Sequence, residues 1–154
     1  ATSATRMPIP AWSSRHVVAP GEVVFRSRGP LWAAWAAEDV GEPLVAVAPL
    51  FILHPDPHKV DARYLAWWFG RPLAQQHFAS ASMGTSVKMI TKSALEQTPV
   101  SLPPLDEQRW IASAAALIQR EGALTRDLSR LRAYALSARL DRAATSIDRQ
   151  GRDA

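Results

Sequence analysis

The chain has 154 residues, enough for one domain with a hydrophobic core and an appended element but not for two large domains. It contains no cysteine, which excludes disulfide bonds, a thiolate nucleophile and thiolate metal ligands. The net charge is only +4, and nine basic and seven acidic side chains lie on each side of the bond between Leu105 and Asp106, so any face that binds a polyanion must arise from local arrangement.

The first part of the chain predicts short strands joined by turns. Residues 1–20 contain three prolines and no clear period, which is typical of an irregular lead-in. Residues 22–27 are predicted to form a strand whose alternate side chains face opposite ways. Residues 31–37 are too short for periodicity to distinguish a helical turn from a buried strand. Residues 44–53 are mostly apolar and predict one core strand, bent or bulged at Pro49.

Capping residues mark the short helices that follow. Asp61 is predicted to cap a helix that runs to about Phe69, where a glycine and a proline stop it. A second helix is expected over residues 73–80. Thr91 can cap a third, short helix. Residues 100–102 alternate as a brief strand, which two consecutive prolines end.

No proline occurs beyond Pro104, and the composition predicts one long helix over residues 105–147. Apolar residues recur every seven positions with others three or four apart, which gives a coiled-coil-like seam for pairing with another helix. The residues assigned to that interface are Leu117, Leu124, Leu128, Leu131 and Ala135. Because Glu121 falls on the seam and Gly122 follows it, a bend or a break into two helices is an alternative there. Residues 148–154 lack an apolar anchor, which predicts a frayed tail.

The end of the first predicted strand carries a cationic group. Arg26 and Arg28, with Ser27 between them, stand beside Gly29, where a short loop could present guanidinium groups to a phosphate or to guanine. The alternative is a solvated strand face, or ion pairs with nearby acids, which are Glu22, Glu38 and Glu42.

A second cationic group lies later in the chain. Gly84 precedes Thr85, Ser86 and Lys88, and Lys92 reinforces them from the following helix. Hydroxyls, backbone amides and lysines are common contacts of a phosphate backbone, and a glycine allows close approach, so these residues form a second candidate contact for such a backbone. The alternative is an ordinary surface turn with its capping residues.

Other chemically notable residues favour structural roles. Residues 54–58, His-Pro-Asp-Pro-His, suggest a metal site, but the prolines exclude the helical geometry that would bring both histidines to one face, and a solvated loop is preferred. Residues 67–69, Trp-Trp-Phe, are able to stack on bases, but their spacing on a short helix favours core packing, as for Trp32 and Trp35. Phosphate-loop, dinucleotide, nucleophile-elbow and zinc-protease motifs are absent from the sequence, so no catalytic and no metal residues are assigned.

Four pieces of sequence follow one another in a defined order. They are Gly21–Gly29, a strand ending in Arg-Gly; Tyr64–Phe69, a short aromatic helix; residues 84–96, with Gly-Thr-Ser, Ile-Thr-Lys and Leu-Glu; and residues 100–108, with Val-Ser-Leu-Pro-Pro-Leu and Glu-Gln. In this order they resemble the DNA-specificity subunit of type I restriction and modification systems. The short mixed strands and helices indicate an α+β (or α/β) domain over residues 1–104. The resemblance implies that this is a target recognition domain, followed by a spacer helix.

The family usually repeats recognition domain and helix twice, and its recognition domain begins with a further β-rich portion. This chain carries one copy, with residues 1–20 in place of that portion. It is therefore expected to be a half-subunit or a fragment, which would form a homodimer through its C-terminal helix to assemble the two-part recognition unit.

The resemblance implies sequence-specific recognition of double-stranded DNA, without catalysis by this chain. The expected partners are a methyltransferase (modification) subunit and a restriction or translocase subunit, to which S-adenosylmethionine, ATP and Mg would belong. No signal peptide or long apolar span is evident, which favours a soluble cytoplasmic protein with no membrane partner. The alternatives are an interaction adaptor or orphan specificity-like protein without DNA recognition, and the detached recognition portion of a fused methyltransferase and nuclease.

Overall fold

The structure is a computed structural model that describes residues 16–29, 31–38, 43–84 and 87–150, with side chains as far as residue 142. In these ranges the strands are β1 (Val17–Val18), β2 (Val23–Arg26), β3 (Ala33–Ala36), β4 (Leu44–Val45) and β5 (Leu50–Leu53), and the helices are α1 (Ala62–Phe69), α2 (Pro72–Ala81), α3 (Lys92–Glu96) and α4 (Leu105–Gln150). The named strand pairs are all antiparallel, so the predicted mixed fold is confirmed in its α+β form.

The central element is β2, which pairs with β3 on one side and with β5 on the other. Its alternation is as predicted, because Val23 and Phe25 enter the main core while Val24 enters a second cluster on the opposite face. Residues 31–37, whose periodicity is compatible with either a helical turn or a strand, contain the edge strand β3. Burial of both faces of β2 fixes its register, since a shift of one residue would exchange the two apolar sets.

The main core lies between this sheet and the first two helices. Phe25 of β2, Phe69 of α1 and Phe78 of α2 meet edge to face, with ring centroids 5.2 to 5.7 Å apart. Trp32 is also buried in this core, as predicted, and Trp68 packs against it. The β1–β4 pair contributes to the second cluster on the other face, against which Trp35 packs.

The prediction of a single strand over residues 44–53 is wrong, because β4 and β5 belong to different sheets. The chain turns at the cis Ala48–Pro49 bond, and the backbone N–H of Leu50 donates to the carbonyl of Val47 at 3.1 Å. Proline has no N–H for a ladder, so it ends a strand where an apolar run alone predicts continuation.

The predicted helix caps are confirmed. The Asp61 carboxylate accepts hydrogen bonds from the backbone N–H groups of Arg63 and Tyr64 at 2.9 and 3.1 Å. The Thr91 hydroxyl accepts from the N–H of Ala94 at 3.2 Å. These oxygens satisfy donors that have no partner within the first turn of a helix, which explains why α1 and α3 begin where they do.

The predicted strand over residues 100–102 is wrong, since that segment forms no named strand. Carbonyl groups within and just before it accept from side chains instead: the Tyr64 hydroxyl donates to Ser101 O at 2.6 Å and the Trp68 indole donates to Pro99 O at 3.2 Å. Neighbouring prolines remove the backbone donors that a strand ladder requires. The aromatic residues of α1 therefore hold this segment in place.

The long helix α4 is continuous through Gly122, so the alternative of a break into two helices is excluded. It begins at Leu105, as predicted, with Asp106 and Glu107 in its first turn, where acidic side chains are favourable. It continues to Gln150, beyond the predicted end at residue 147. The chain divides between Ala112 and Ser113 into two compact units.

Candidate nucleic-acid interface

The two predicted cationic groups lie in adjacent chain segments. The backbone N–H of Ile90 donates to Ser27 O at 2.9 Å, and the N–H of Gly29 donates to Lys88 O at 3.3 Å. Between these bonds, Arg28 lies directly opposite Met89 in an antiparallel bridge. No shared pattern in the sequence links the two groups, and the pairing of their backbones is created by the fold.

The segment 83–89 folds back on itself as a hairpin. Met83 and Met89 exchange two backbone hydrogen bonds, at 3.0 and 2.9 Å. Gly84 has φ +104°, and a Cβ atom there would lie 2.7 Å from the carbonyl oxygen of Val87, so only glycine fits the turn. Thr85 and Ser86, predicted to contact DNA, lie outside the described residues.

Ser27 has a buried structural position at the end of β2. Its side chain is 3% exposed, and its hydroxyl donates to Pro49 O at 2.8 Å. Its backbone N–H donates to the same carbonyl at 2.9 Å, which ties β2 to the turn before β5. The sequence placed Ser27 among the contact residues, but its hydroxyl is occupied inside the fold, so Ser27 positions the strand end.

The arginines on either side of Ser27 differ in their surroundings. Arg26 folds over the following turn, where its Nη2 donates to Leu31 O at 2.7 Å, while its buried Nε has no hydrogen-bond partner among the described groups. Arg28 is exposed and forms no ion pair with another described residue. Arg28 is therefore the arginine whose guanidinium is available to a ligand.

Two of the three acids considered as alternative partners of these arginines lie among the described residues, and neither forms an ion pair with Arg26 or Arg28. The Glu22 carboxylate accepts from the Ala19 N–H at 2.8 Å and lies 2.6 Å from His54 Nδ1. Glu38 is exposed and forms no ion pair with either arginine in the described part of the chain. Glu42 lies outside the described residues.

The two lysines of the second group are both exposed. Lys88 lies in the hairpin, and its side chain forms no ion pair with a described residue. Lys92 begins α3, with its Nζ 3.6 Å from a carboxylate oxygen of Glu96. An exposed pair of this kind contributes about 0.3 to 0.5 kcal/mol, so a phosphate could replace Glu96 as the partner of Lys92 at little cost.

The His-Pro-Asp-Pro-His segment forms a turn ahead of α1. The Asp56 carboxylate accepts from the N–H of His58 at 3.0 Å, which is the main reason that its pKa is lowered, and it also pairs with Lys59. Among the described residues, no group of three histidine or acidic side chains is arranged to hold a metal ion.

A residue without an assigned role in the sequence, Gln108, joins the first turn of α4 to the loop before α1. Its side chain is 1% exposed and makes three hydrogen bonds. Its Oε1 accepts from the N–H of Asp61 at 3.0 Å, and its Nε2 donates to Lys59 O and Pro103 O at 2.9 and 2.8 Å. The signal in the sequence that could have identified Gln108 was its position in the first turn of a helix that begins directly after two prolines.

A comparison with protein families gives one match. The family model described as the type I restriction modification DNA specificity domain matches residues 41–119, just over half of the chain. The chain belongs to this family. The match includes the hairpin and Gln108 but neither Arg28 nor the later part of α4. A search of curated proteins found no match.

The helix α4 carries a stripe of exposed apolar side chains that begins at Leu117, near the end of the family match. The predicted interface leucines, Leu117, Leu124, Leu128 and Leu131, are each between 48% and 67% exposed, and Ala135 is exposed as well. Further exposed apolar side chains lie outside the predicted seam, at Ile118, Tyr134, Leu136 and Leu140. An apolar surface of this extent is a signature of an association site. None of the described helices is long and apolar enough to cross a membrane.

Proposed function

We propose that this specificity domain recognises duplex DNA through the surface formed where the end of β2 meets the 83–89 hairpin. The observation that carries the proposal is the main-chain pairing of these two segments, which brings the backbone at Arg28 and the backbone at Lys88 together from distant parts of the sequence. Thr85 and Ser86, which follow Gly84 in the sequence, are proposed to contact phosphate as well, and Lys92 follows in α3. Arg26 and Ser27 contribute by holding the strand end in place.

Each group has a defined chemical part in this mechanism. Lysine side chains and hydroxyls contact phosphate oxygens, which fixes the register of the protein on the duplex. An arginine is able to donate two parallel hydrogen bonds to the O6 and N7 atoms of guanine in the major groove. Because main-chain bonds hold the hairpin to β2, little conformational entropy would be lost when it meets DNA.

The exposed stripe on α4 supports a role in assembly. We propose that it pairs with the same helix of a second copy, or with a helix of a modification subunit, so that two recognition domains are held at a fixed separation. The part of α4 beyond Ala112 is roughly 55 Å long at about 1.5 Å per residue, which exceeds one turn of duplex DNA. Such a helix is long enough to separate two half-sites.

Catalysis in this proposal belongs to other subunits. A methyltransferase subunit would bring S-adenosylmethionine, and a restriction or translocase subunit would bring ATP and Mg. The family is defined by DNA specificity and not by a catalytic activity. This chain would select the site, and its partners would act there.

A salt titration of binding to duplex DNA tests the DNA-recognition proposal. The logarithm of the binding constant should fall linearly with the logarithm of the salt concentration. If the charges of Arg28 and Lys88 each release counterions equivalent to one phosphate, whether the side chain contacts a base or a phosphate, the Arg28→Ala/Lys88→Ala variant should reduce the magnitude of that slope by about 1.8. Lys59→Ala/Arg63→Ala removes the same charge from the start of α1 and serves as the matched control. Equal slopes and affinities for the wild type and for Arg28→Ala/Lys88→Ala would refute the assignment of these residues to the DNA-binding surface.

The α4 stripe also favours a second candidate, an interaction adaptor that binds partners through the helix without recognising DNA. The same titration separates the two functions. An adaptor would show weak or undetectable DNA binding while retaining helix-mediated association in light scattering.

A further inference from the structure

Three side chains form a row across the proposed DNA-binding surface. Arg28 lies opposite Met89 in one antiparallel bridge, and Met89 lies opposite Met83 in another. Residues directly opposite each other in antiparallel segments project to the same face. The order across this face is therefore Arg28, Met89, Met83, with neighbouring Cα atoms about 5 Å apart.

The two methionines are exposed, at 64% for Met83 and 44% for Met89. Isolated apolar side chains are common on protein surfaces, but these two adjoin each other and Arg28, which forms no ion pair with a described residue. No acidic residue lies among the described residues of the hairpin or at positions 26–29 of the strand end. The surface is thus apolar and cationic, which suits a polyanion with apolar groups in its groove.

We infer that Met83 and Met89 contact the 5-methyl group of thymine in the major groove, beside a guanine that Arg28 contacts. This inference rests on the proposed DNA recognition and names the base chemistry of the same surface. The thymine methyl is the apolar group that the major groove presents, and it is recognised by contact with apolar side chains. Methionine suits this contact because its unbranched, polarizable side chain adapts to an irregular surface.

The dimensions of the row fit consecutive base pairs. The hairpin arms that carry Met83 and Met89 form a two-stranded ribbon, which is narrow enough to enter the major groove, and Arg28 lies on the strand end beside it. The row spans about 10 Å, close to three steps of about 3.4 Å along one DNA strand. The guanine and the thymine should therefore lie within three base-pair steps of each other, that is, within four consecutive base pairs of the half-site.

Replacing thymine with uracil isolates the methyl group. The full chain would be used to select duplexes from a random-sequence library, and each dT of a selected duplex would then be changed singly to dU. Fluorescence anisotropy would give the dissociation constants for wild type, Met83→Ala/Met89→Ala and the control Leu73→Ala, which removes an exposed apolar side chain from α2. The methionines pair through backbone atoms, so the double variant retains the groups that form those hydrogen bonds, and circular dichroism would verify that its overall fold is kept.

We expect one dT to dU change within three base pairs of a required guanine to weaken wild-type binding about fourfold, the effect of one buried methyl-sized group. The same change should have no effect on Met83→Ala/Met89→Ala and the full effect on Leu73→Ala. A methyl effect retained in the methionine variant would overturn the inference. Sequence-specific, salt-dependent binding without any effect of uracil would overturn it and leave the proposed function standing. Failure to bind any duplex would overturn both.

Discussion

Replacing Gln108 with leucine should destabilise the first unit markedly, because this side chain joins three separate backbone groups. Leucine has a similar volume but neither donates nor accepts a hydrogen bond. The Asp61 N–H and the carbonyls of Lys59 and Pro103 would each lose their bond to this side chain. A buried polar group left without its partner costs about 1 to 3 kcal/mol.

The lower end of that range applies to each group here, because Lys59 is exposed and Asp61 and Pro103 are only partly buried. The three groups together give a loss of about 3 kcal/mol in the free energy of unfolding. For a chain of this length, that loss lowers the melting temperature by roughly 10 °C. A surface substitution normally changes stability by less than about 0.5 kcal/mol, so the expected effect is well resolved.

Urea denaturation followed by circular dichroism measures the change. Gln76→Leu is the matched control, since it makes the same substitution at an exposed position of α2. A Gln108→Leu variant with a free energy of unfolding within about 0.5 kcal/mol of wild type would refute the reasoning. In that event, water would be able to take over all three hydrogen bonds.

Three further predictions concern assembly, the hairpin and alkaline stability. If α4 pairs through its apolar seam as proposed, replacing Leu124 and Leu131 with glutamate should leave only monomers in light scattering, because charges would enter that seam. Gly84→Ala should cost about 2 kcal/mol and weaken DNA binding, since φ is +104° and the added Cβ meets a backbone oxygen at 2.7 Å. Burial, and secondarily the charge of Glu107, raises the pKa of Tyr64 above its ordinary value of 10.0. The resulting stabilisation is fully present below pH 10.0 and is lost as the pH rises through the raised value, so Tyr64→Phe should unfold with a weaker dependence on alkaline pH.

A matched control variant exists for each of these three substitutions. Thr125→Glu/Arg132→Glu places the same side chains on α4 outside the seam, and monomers from that variant too would remove the argument for a specific interface. Gly21→Ala meets no atom within 4 Å at φ +87°, so it isolates conformational strain from the collision at Gly84. Tyr134→Phe alters an exposed tyrosine, and an alkaline unfolding profile changed as much as by Tyr64→Phe would contradict the role of burial.

Local signals in the sequence were sufficient for the elements that depend on local chemistry. Asp61 and Thr91 start helices because their side-chain oxygens meet N–H groups two or three residues away. The alternation around Phe25 predicts β2 because burial on both faces follows the two-residue period of a strand.

The remaining features depend on partners distant in sequence. An apolar run cannot show that the strands on either side of Pro49 join different sheets. Nothing in the sequence around Ser101 shows that carbonyl groups there accept hydrogen bonds from aromatic side chains of α1 and not from a neighbouring strand. The pairing of Arg28 with Met89 joins segments with no shared sequence pattern, so the two cationic groups were predicted separately.

The hairpin is joined to β2 by main-chain atoms, and this separates its shape from the identity of its side chains. The side chains at the exposed positions 28, 83 and 87–89 could therefore be substituted while the supporting backbone hydrogen bonds are kept. Gly84 would have to remain glycine. Designed variants of this kind would offer a route to new target sequences on an unchanged scaffold. The same separation would allow natural sequences to diverge in target preference without first acquiring a new fold.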